Sequence, residues 1–387
     1  MGNKIKSSVL MPLVGITCAT FIFNTSEFVP IGLLTSISAD FSISEAKAGM
    51  LISVYAWVVM LLSLPLMLMV SRMNLRKLFL GVIALFVVFQ IMSFMSVGYG
   101  MLMFSRIGVA CAHSVFWSVV SPIAVRIVPE KHRAMALGMV VTGTSVAMIF
   151  GLPLGRVVGL LAGWRATFLG IGVFAFAALV YLWRVLPDVP SRGGFKVAQL
   201  PGLLKNKVLM YMYLLTLAFA TAYYTSYSYI EPFLSQIAGM HNELITATLM
   251  FFGAAGILGS VLFSKFYGVN RKRFSDLSLI ALALCLFLLY PFSFNNVLVI
   301  LLCIVWGVAV TSYNVVMQSE IINHTTAGAT AVAMSIFSGI FNLGIGSGAL
   351  IGGAVCSHLS VAYIGFVGGF IALLTLTLWF TKMRRQL

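Results

Sequence analysis

Charged residues are scarce in this chain, and their scarcity decides its broad class. Only 9% of the 387 residues are charged, 61% are apolar, and the mean hydropathy is +1.06. Soluble domains carry about 25% charged residues, so this composition excludes an ordinary soluble globular protein. The apolar residues form long unbroken runs. A membrane barrel is therefore not expected, because its strands alternate polar and apolar residues over ~10-residue segments.

Cysteine is also sparse, and none of the five cysteines forms a C-x-x-C pair. A disulfide framework or a zinc site is therefore not expected, and small apolar packing explains these residues better. The sequence contains no phosphate-cradling glycine loop, no metal-ligand cluster and no nucleophile–base pair. It predicts no cofactor other than a proton gradient and no enzymatic activity, and it does not support ATP-driven transport by this chain alone.

Twelve apolar runs follow one another along the chain, each roughly long enough to cross a bilayer, which takes ~20 residues. Helices satisfy their own backbone hydrogen bonds in lipid, so the runs predict an all-α polytopic membrane protein. Their approximate bounds are 9–34, 46–70, 78–97, 99–121, 134–160, 164–186, 207–237, 243–265, 274–293, 295–318, 328–353 and 360–381.

The net charge of +15 is distributed between these runs rather than along one face. Twenty of the 24 basic residues precede the first run, follow an even-numbered run or end the chain. This is the positive-inside pattern, and it predicts that both termini are cytoplasmic. Nucleic acid is therefore not an expected partner.

A stretch rich in proline, glycine and charge, Pro187 to Lys207, interrupts the apolar pattern in mid-chain. Such composition marks a loop. It predicts an N-terminal bundle of six helices over 1–186, a cytoplasmic linker over 187–206 and a second bundle over 207–387. The stretch Ala136–Gly151 also returns weakly as Ala331–Gly346. Transporters built from such repeats bind substrate at the interface between them.

Glu27 is the only acidic residue in the first run, where it lies between Asn24 and Pro30. An ionisable side chain at membrane depth is by default a functional hypothesis, and Asn24 lies three residues away on the same helical face. We interpret Glu27 as a protonatable carboxylate facing a polar cavity. The alternative is a hydrated carboxylate near the outer membrane interface. Pro30 is expected to bend the helix.

Arg106, His113 and Trp117 follow one stripe of the fourth run. Arginine stays protonated, so Arg106 suits the modulation of a carboxylate's charge, whereas His113 can titrate or bind a hydroxyl group. We predict that Glu27 and Arg106 serve proton coupling, and that Asn24, His113 and Trp117 line the substrate cavity. The alternative for Arg106 is a side chain that snorkels to the membrane surface.

Small residues and a proline mark the fifth run at Gly151, Pro153, Gly155 and Gly159. Glycines permit close approach of helices, and a proline bends a helix. These four residues are expected to serve packing. They also suggest a flexing seam between the halves.

Tyr224, Tyr227 and Glu231 share a helical face of the seventh run, where hydroxyl and aromatic side chains cluster. This chemistry suits a neutral polyhydroxylated ligand, and an interfacial aromatic belt is the alternative. Ser338 and Asn342 stand four residues apart in the eleventh run. We predict that all five contribute to the substrate site, although polar side chains also connect membrane helices.

The chain resembles the major facilitator superfamily, specifically its drug:proton antiporter group, and within it the bacterial sugar efflux transporters. The resemblance is carried by Asn24–Leu34, Tyr55–Met69, Ser105–Ser118, Thr142–Phe168, Tyr227–Phe233 and Phe337–Gly352. It implies two pseudo-symmetric six-helix bundles in a bacterial inner membrane, a functional monomer, and export of arabinose-like sugars or thiogalactosides. One feature departs from the family: the loop Ser71–Lys77 lacks the usual aspartate, so the family's charge-relay lock is not carried over.

These observations together predict a proton-coupled antiporter that exports small neutral sugars or glycosides by alternating access. The nearest alternative is a multidrug or other small-molecule proton antiporter of the same fold. A passive channel and a membrane-embedded enzyme belong to other classes. Concentrative export would exclude the channel, and the absence of a nucleophile or metal constellation argues against the enzyme.

Overall fold

Helices form all the regular structure in the described part of the computed structural model, which comprises residues 7–70, 73–190, 205–325 and 330–384. Twelve helices in this part are long and apolar enough to cross a membrane. The all-α polytopic prediction is confirmed. In chain order, spans 1 to 12 are Leu10–Asp40, Glu45–Ser63, Leu75–Phe94, Tyr99–Arg126, Met135–Ala162, Trp164–Val185, Lys207–Ile237, Asn242–Tyr267, Arg271–Phe292, Asn296–Asn323, Val332–His358 and Val361–Met383.

Some sequence-based predictions fall on residues outside the described ranges. They concern most of the linker 187–206 and the basic residues Lys4, Lys6, Arg72, Arg192, Lys196 and Arg385.

Span 1 changes its helical geometry at Pro30, as predicted. The α-helix Ser7–Phe28 gives way to a 3-10 helix, Val29–Leu33, and resumes as Leu34–Asp40. Proline has no N–H to donate and its ring clashes with the preceding turn, which accounts for the break. Glu27 therefore occupies the last turn of regular α-helix.

The chain packs as two compact units, and their boundary falls at this break. Unit 1 comprises Met1–Val29 and Leu61–Phe195, and unit 2 comprises Pro30–Met60 and Lys196–Leu387. The two halves predicted from the sequence each contain six consecutive helices. Packing instead assigns the end of span 1 and most of span 2 to unit 2. The division at 187–206 stays a prediction.

Within unit 1, span 1 packs on spans 4, 5 and 6, and span 3 packs on spans 4 and 6. Within unit 2, span 7 packs on spans 10, 11 and 12, and span 9 packs on spans 10 and 12. Adding six to each span number of the first set gives the second. The recurrence supports the internal repeat that the sequence indicates.

Span 5 packs closely against span 1 through glycines. A Cβ atom at Gly151 would collide with Thr25, and one at Gly155 would collide with Val29. The helix widens into a π-helical turn at Ala147–Gly151, just before Pro153. A proline there removes one backbone donor, and π turns are a recognised cause of helix bending. Gly151, Pro153, Gly155 and Gly159 are all buried; their role as a flexing seam between halves stays a prediction.

At the start of span 3, Asn74 lies in the loop that lacks the family's aspartate. Its Oδ1 accepts hydrogen bonds from the backbone N–H groups of Arg76 and Lys77, at 3.0 and 3.2 Å. Its Nδ2 donates to Asp188 Oδ1 at 2.7 Å. The carboxylate of Asp188, which follows span 6, thus reaches this loop. Ser71 and Arg72 lie outside the described residues.

Candidate functional site

Glu27 and His113 meet inside unit 1. The Oε2 atom of Glu27 on span 1 lies 3.6 Å from the Nε2 atom of His113 on span 4, with the two side chains 11% and 2% exposed. Regular helix carries both residues, so their backbones are fixed by the surrounding hydrogen bonds. The predicted lone carboxylate therefore has a titratable partner beside it.

The Nε2 atom of His113 also accepts a hydrogen bond from the indole Nε1 of Trp117, at 2.6 Å. A ring nitrogen that accepts carries no proton, so in this geometry His113 cannot donate from Nε2 to Glu27. An ionised carboxylate opposite that lone pair would be repelled. The arrangement therefore fits a neutral imidazole facing a protonated carboxyl group better than a charged ion pair.

Arg106 provides the positive charge of this cluster. Its side chain is 1% exposed, and its Nη1 donates to Ser26 Oγ at 3.2 Å. Gln90 donates to the same hydroxyl oxygen. The guanidinium is close enough to interact electrostatically with both Glu27 and His113. Because it is enclosed between spans of unit 1, Arg106 does not snorkel to the membrane surface.

Asn24 is buried near this cluster but makes other contacts. Its Nδ2 donates to the backbone oxygen of Thr20 at 3.0 Å and to Thr144 Oγ1 at 3.4 Å. The bond to Thr144 connects span 1 with span 5. The predicted role of Asn24 in substrate binding stays a prediction, and its described contacts are structural.

The tyrosines of span 7 form an aromatic cluster inside unit 2. The ring of Tyr227 lies 4.7 Å from Phe252 and 6.1 Å from both Tyr224 and Trp306. The Tyr223 ring completes the cluster, 4.4 Å from Tyr224. All three tyrosines are at most 6% exposed. An interfacial aromatic belt is therefore the wrong interpretation for these three residues.

Glu231 does not continue the face of Tyr224 and Tyr227. The α-helix ends at Tyr227 and a new helical turn begins at Ile230, so the predicted shared face is wrong at this point. Thr35 Oγ1 donates to Glu231 Oε2 at 2.6 Å, which ties the end of span 1 to span 7 within unit 2. A role of Glu231 in substrate binding stays a prediction.

Asn342 has hydrogen-bonding capacity left over. Its Nδ2 donates to the backbone oxygen of Ser338 at 3.0 Å, whereas its buried Oδ1 has no partner among the described residues. Buried polar atoms are normally paired, so this oxygen is a candidate ligand-binding atom. The side chain of Ser338 is exposed and is not part of the bond.

Trp57 and Ser53 were not predicted from the sequence. A Cβ atom at Gly346, one turn beyond Asn342, would collide with the Trp57 ring and would lie 2.9 Å from the backbone oxygen of Ser53. Within the described residues, neither Trp57 Nε1 nor Ser53 Oγ has a hydrogen-bond partner. These two donors on span 2 and the Asn342 acceptor on span 11 are candidate ligand-binding atoms. A tryptophan within a long apolar run was the available signal.

No group of three or more His, Cys, Asp or Glu side chains in the described ranges is arranged to hold a metal ion.

Twelve spans in two units with matching helix contacts, and a charge cluster enclosed among the helices, are typical of a secondary membrane transporter. The chain belongs to the Major Facilitator Superfamily, whose family model matches residues 16–337. It is accordingly a multi-pass membrane transporter rather than an enzyme.

Solved structures share this fold at low sequence identity. A bacterial homologue of the human lysosomal transporter Spinster, in an inward-facing and unoccupied conformation, matches with a TM-score of 0.83 and 16% identity, covering 98% of both chains. The nucleoside transporter NupG matches with a TM-score of 0.79 and 12% identity, covering 95% of this chain and 98% of that one. The human organic anion transporter MFSD10 matches with a TM-score of 0.68 and 11% identity, covering 96% and 98%.

Proposed function

We propose that this protein is a proton-coupled antiporter of the bacterial inner membrane that exports small neutral sugars or glycosides, with both termini in the cytoplasm. The observation that carries the proposal is the buried contact between Glu27 and His113, 3.6 Å apart, beside the Arg106 guanidinium. A carboxylate, an imidazole and a fixed cation in one enclosed cluster can take up and release a proton with little movement of the backbone.

Proton binding alters the bonding within this cluster. A protonated Glu27 offers an O–H donor to His113 Nε2, whereas an ionised Glu27 attracts the Arg106 guanidinium. Each state favours different side-chain positions, and a ligand or proton that prefers one state shifts the population toward it. We infer that substrate and proton bind the two states alternately, as antiport requires.

The polar atoms of span 11 and span 2 support a sugar over a purely apolar drug. Asn342 Oδ1, Trp57 Nε1 and Ser53 Oγ have no hydrogen-bond partner among the described residues. A sugar hydroxyl both donates and accepts, and an indole ring offers an apolar face against which a pyranose ring can pack. A multidrug antiporter remains the second candidate function, favoured by the five-ring cluster around Tyr227.

Purified protein in liposomes with an imposed pH gradient tests the proposal. We expect radiolabelled arabinose or a thiogalactoside to accumulate on the acidic side and to collapse part of the gradient in doing so. Accumulation of hydrophobic cationic drugs without any sugar would favour the multidrug alternative. Equilibration of sugar without accumulation, at any gradient, would identify a passive pathway and contradict the proposal.

A further inference from the structure

A cavity of about 440 Å³ lies between spans 8, 9 and 10 of unit 2, and none of the candidate site residues lines it. Its walls are apolar and come from all three helices, with Phe266 on span 8, Leu277 and Ala281 on span 9, and Val305 and Ala309 on span 10. Proton coupling and substrate binding do not account for a cavity at this place.

This cavity is a groove on the outside of the helices. Phe266, Leu277 and Val305 are 54%, 67% and 49% exposed. Large apolar side chains that remain exposed on membrane spans face the acyl chains of the lipid, since water would make such exposure costly. The groove therefore opens toward the bilayer.

The two hydroxyl groups that line the groove already donate their hydrogens to backbone oxygens. Ser278 Oγ donates to the Phe274 oxygen at 2.9 Å, and Ser312 Oγ donates to the Gly259 oxygen at 3.3 Å. Asn270 Oδ1 accepts from the Arg273 N–H at 3.0 Å as the N-cap of span 9. A transported glycoside would find mostly apolar walls there, and hydroxyl groups whose hydrogens are already donated.

One end of the groove is basic. Arg273 lines it at the first turn of span 9, with Lys272 beside it and Lys265 at the end of span 8. Among the described residues, the charged ends of these three side chains make no hydrogen bond or ion pair. Arg271 differs, because it lies 3.4 Å from the buried carboxylate of Glu320. The Arg273 guanidinium, which lines the groove, is therefore available to a negatively charged headgroup, and Lys272 next to it in sequence adds to the local positive charge.

We propose that this groove binds an anionic phospholipid, with the phosphate at Arg273 and one acyl chain along Leu277 and Ala281. Arg273 and Ala281 are eight residues apart, about 12 Å along the helix at 1.5 Å per residue, enough to take the chain from the membrane surface into the hydrocarbon region. Span 9 begins on the face that the basic residues predict to be cytoplasmic, where anionic lipids attract lysine and arginine.

Native mass spectrometry of the full-length protein, purified from membranes and titrated with phosphatidylglycerol or phosphatidylcholine, tests the headgroup contact. We expect phosphatidylglycerol to bind more tightly, and Arg273→Gln to weaken it about fivefold, the effect of one basic residue near an anionic surface. Arg184→Gln, an exposed arginine that ends span 6 and does not line the groove, is the matched control. Equal affinity for the two lipids, or equal loss in the two variants, would overturn the proposal.

A second pair of variants tests the acyl-chain contact separately. Ala281→Phe fills the groove, whereas Ala254→Phe adds the same ring at an exposed site on span 8 that does not line it. We expect Ala281→Phe to abolish lipid retention and Ala254→Phe to leave it intact. A cooperative thermal unfolding transition in both variants verifies that both are folded. Retention unchanged in Ala281→Phe, or displacement of the lipid by a transported sugar, would exclude an acyl chain in the groove.

Discussion

His113 and Glu27 face each other at 3.6 Å from different spans, while the same His113 nitrogen accepts the indole hydrogen of Trp117 at 2.6 Å. The nitrogen has a single lone pair and two neighbours able to supply a hydrogen. Protonation of Glu27 therefore brings its O–H into competition with the Trp117 N–H. Through this competition, protonation of Glu27 can change the position of the Trp117 ring.

Trp117→Phe should shift the pH dependence of substrate binding upward. The variant keeps an aromatic ring but removes the N–H donor, so His113 Nε2 becomes available to the O–H of a protonated Glu27. Because a hydrogen bond is worth about 1 kcal/mol, the midpoint of the binding profile should move by about half a pH unit or more. Calorimetric titration of sugar binding between about pH 5 and 8, the range over which histidine-like groups change charge, measures the shift.

Trp306→Phe is the matched control for that shift. Trp306 is fully buried, and its Nε1 has no hydrogen-bond partner among the described residues. Removing its N–H should leave the midpoint unchanged. A shift of equal size in both variants would show that loss of a tryptophan, and not loss of the bond to His113, is responsible.

Asn342→Ala should weaken sugar binding by about one to two decades, because a sugar hydroxyl left unpaired in a dehydrated site costs about 1–3 kcal/mol. Asn314→Ala is the control, since Asn314 Oδ1 already accepts a bond from Gln318 within span 10. Calorimetry measures sugar affinity and thermal stability on the same samples. Lower stability with unchanged affinity in Asn342→Ala would make that residue a structural contact only.

Gly155→Ala should lower the thermal stability of the protein. The added methyl group would collide with Val29, and overpacking of this kind costs about 1–3 kcal/mol. Gly170→Ala provides the contrast, because nothing lies within 4 Å of the added atom there. Thermal unfolding in detergent should show a lower transition for the first variant only. Equal transitions would contradict the close approach of spans 1 and 5.

Both termini should be cytoplasmic, since 20 of the 24 basic residues lie on one side of the predicted topology. A reporter that is active only in the periplasm, fused after Leu387, should stay silent. The same reporter fused within the short connection between spans 1 and 2 should be active. Activity at the C-terminus would contradict the topology.

Hydropathy was sufficient to predict the twelve membrane spans, because each span needs a long apolar run regardless of its partners. The run from 207 to 237 matches span 7 at both ends. Isolated ionisable residues in such runs are rare, and this rarity alone singles out Glu27, Arg106 and His113 in the sequence. Their mutual proximity rests on the packing of span 1 against span 4.

Other features depend on tertiary packing, which leaves no local pattern in the sequence. Ser26 and Gln90 are ordinary polar residues in sequence, and only the fold brings both to Arg106. The face of Tyr227 fails to reach Glu231 because the helix breaks at Ser228 and Tyr229, two residues without a helix-breaking side chain. The Trp57 ring packs against span 11 only because Gly346 leaves room for it.

Proton-driven transport by a Glu27→Gln variant is the most direct measurement of the central claim. Glutamine keeps the shape of the side chain but cannot take up or release a proton. In liposomes with an imposed pH gradient, the variant should lose gradient-driven sugar accumulation while retaining sugar exchange without a gradient. Glu130→Gln, at an exposed surface carboxylate 2.8 Å from Arg133, should behave as the unmodified protein. Undiminished accumulation in Glu27→Gln would contradict the assignment of Glu27 as the proton carrier.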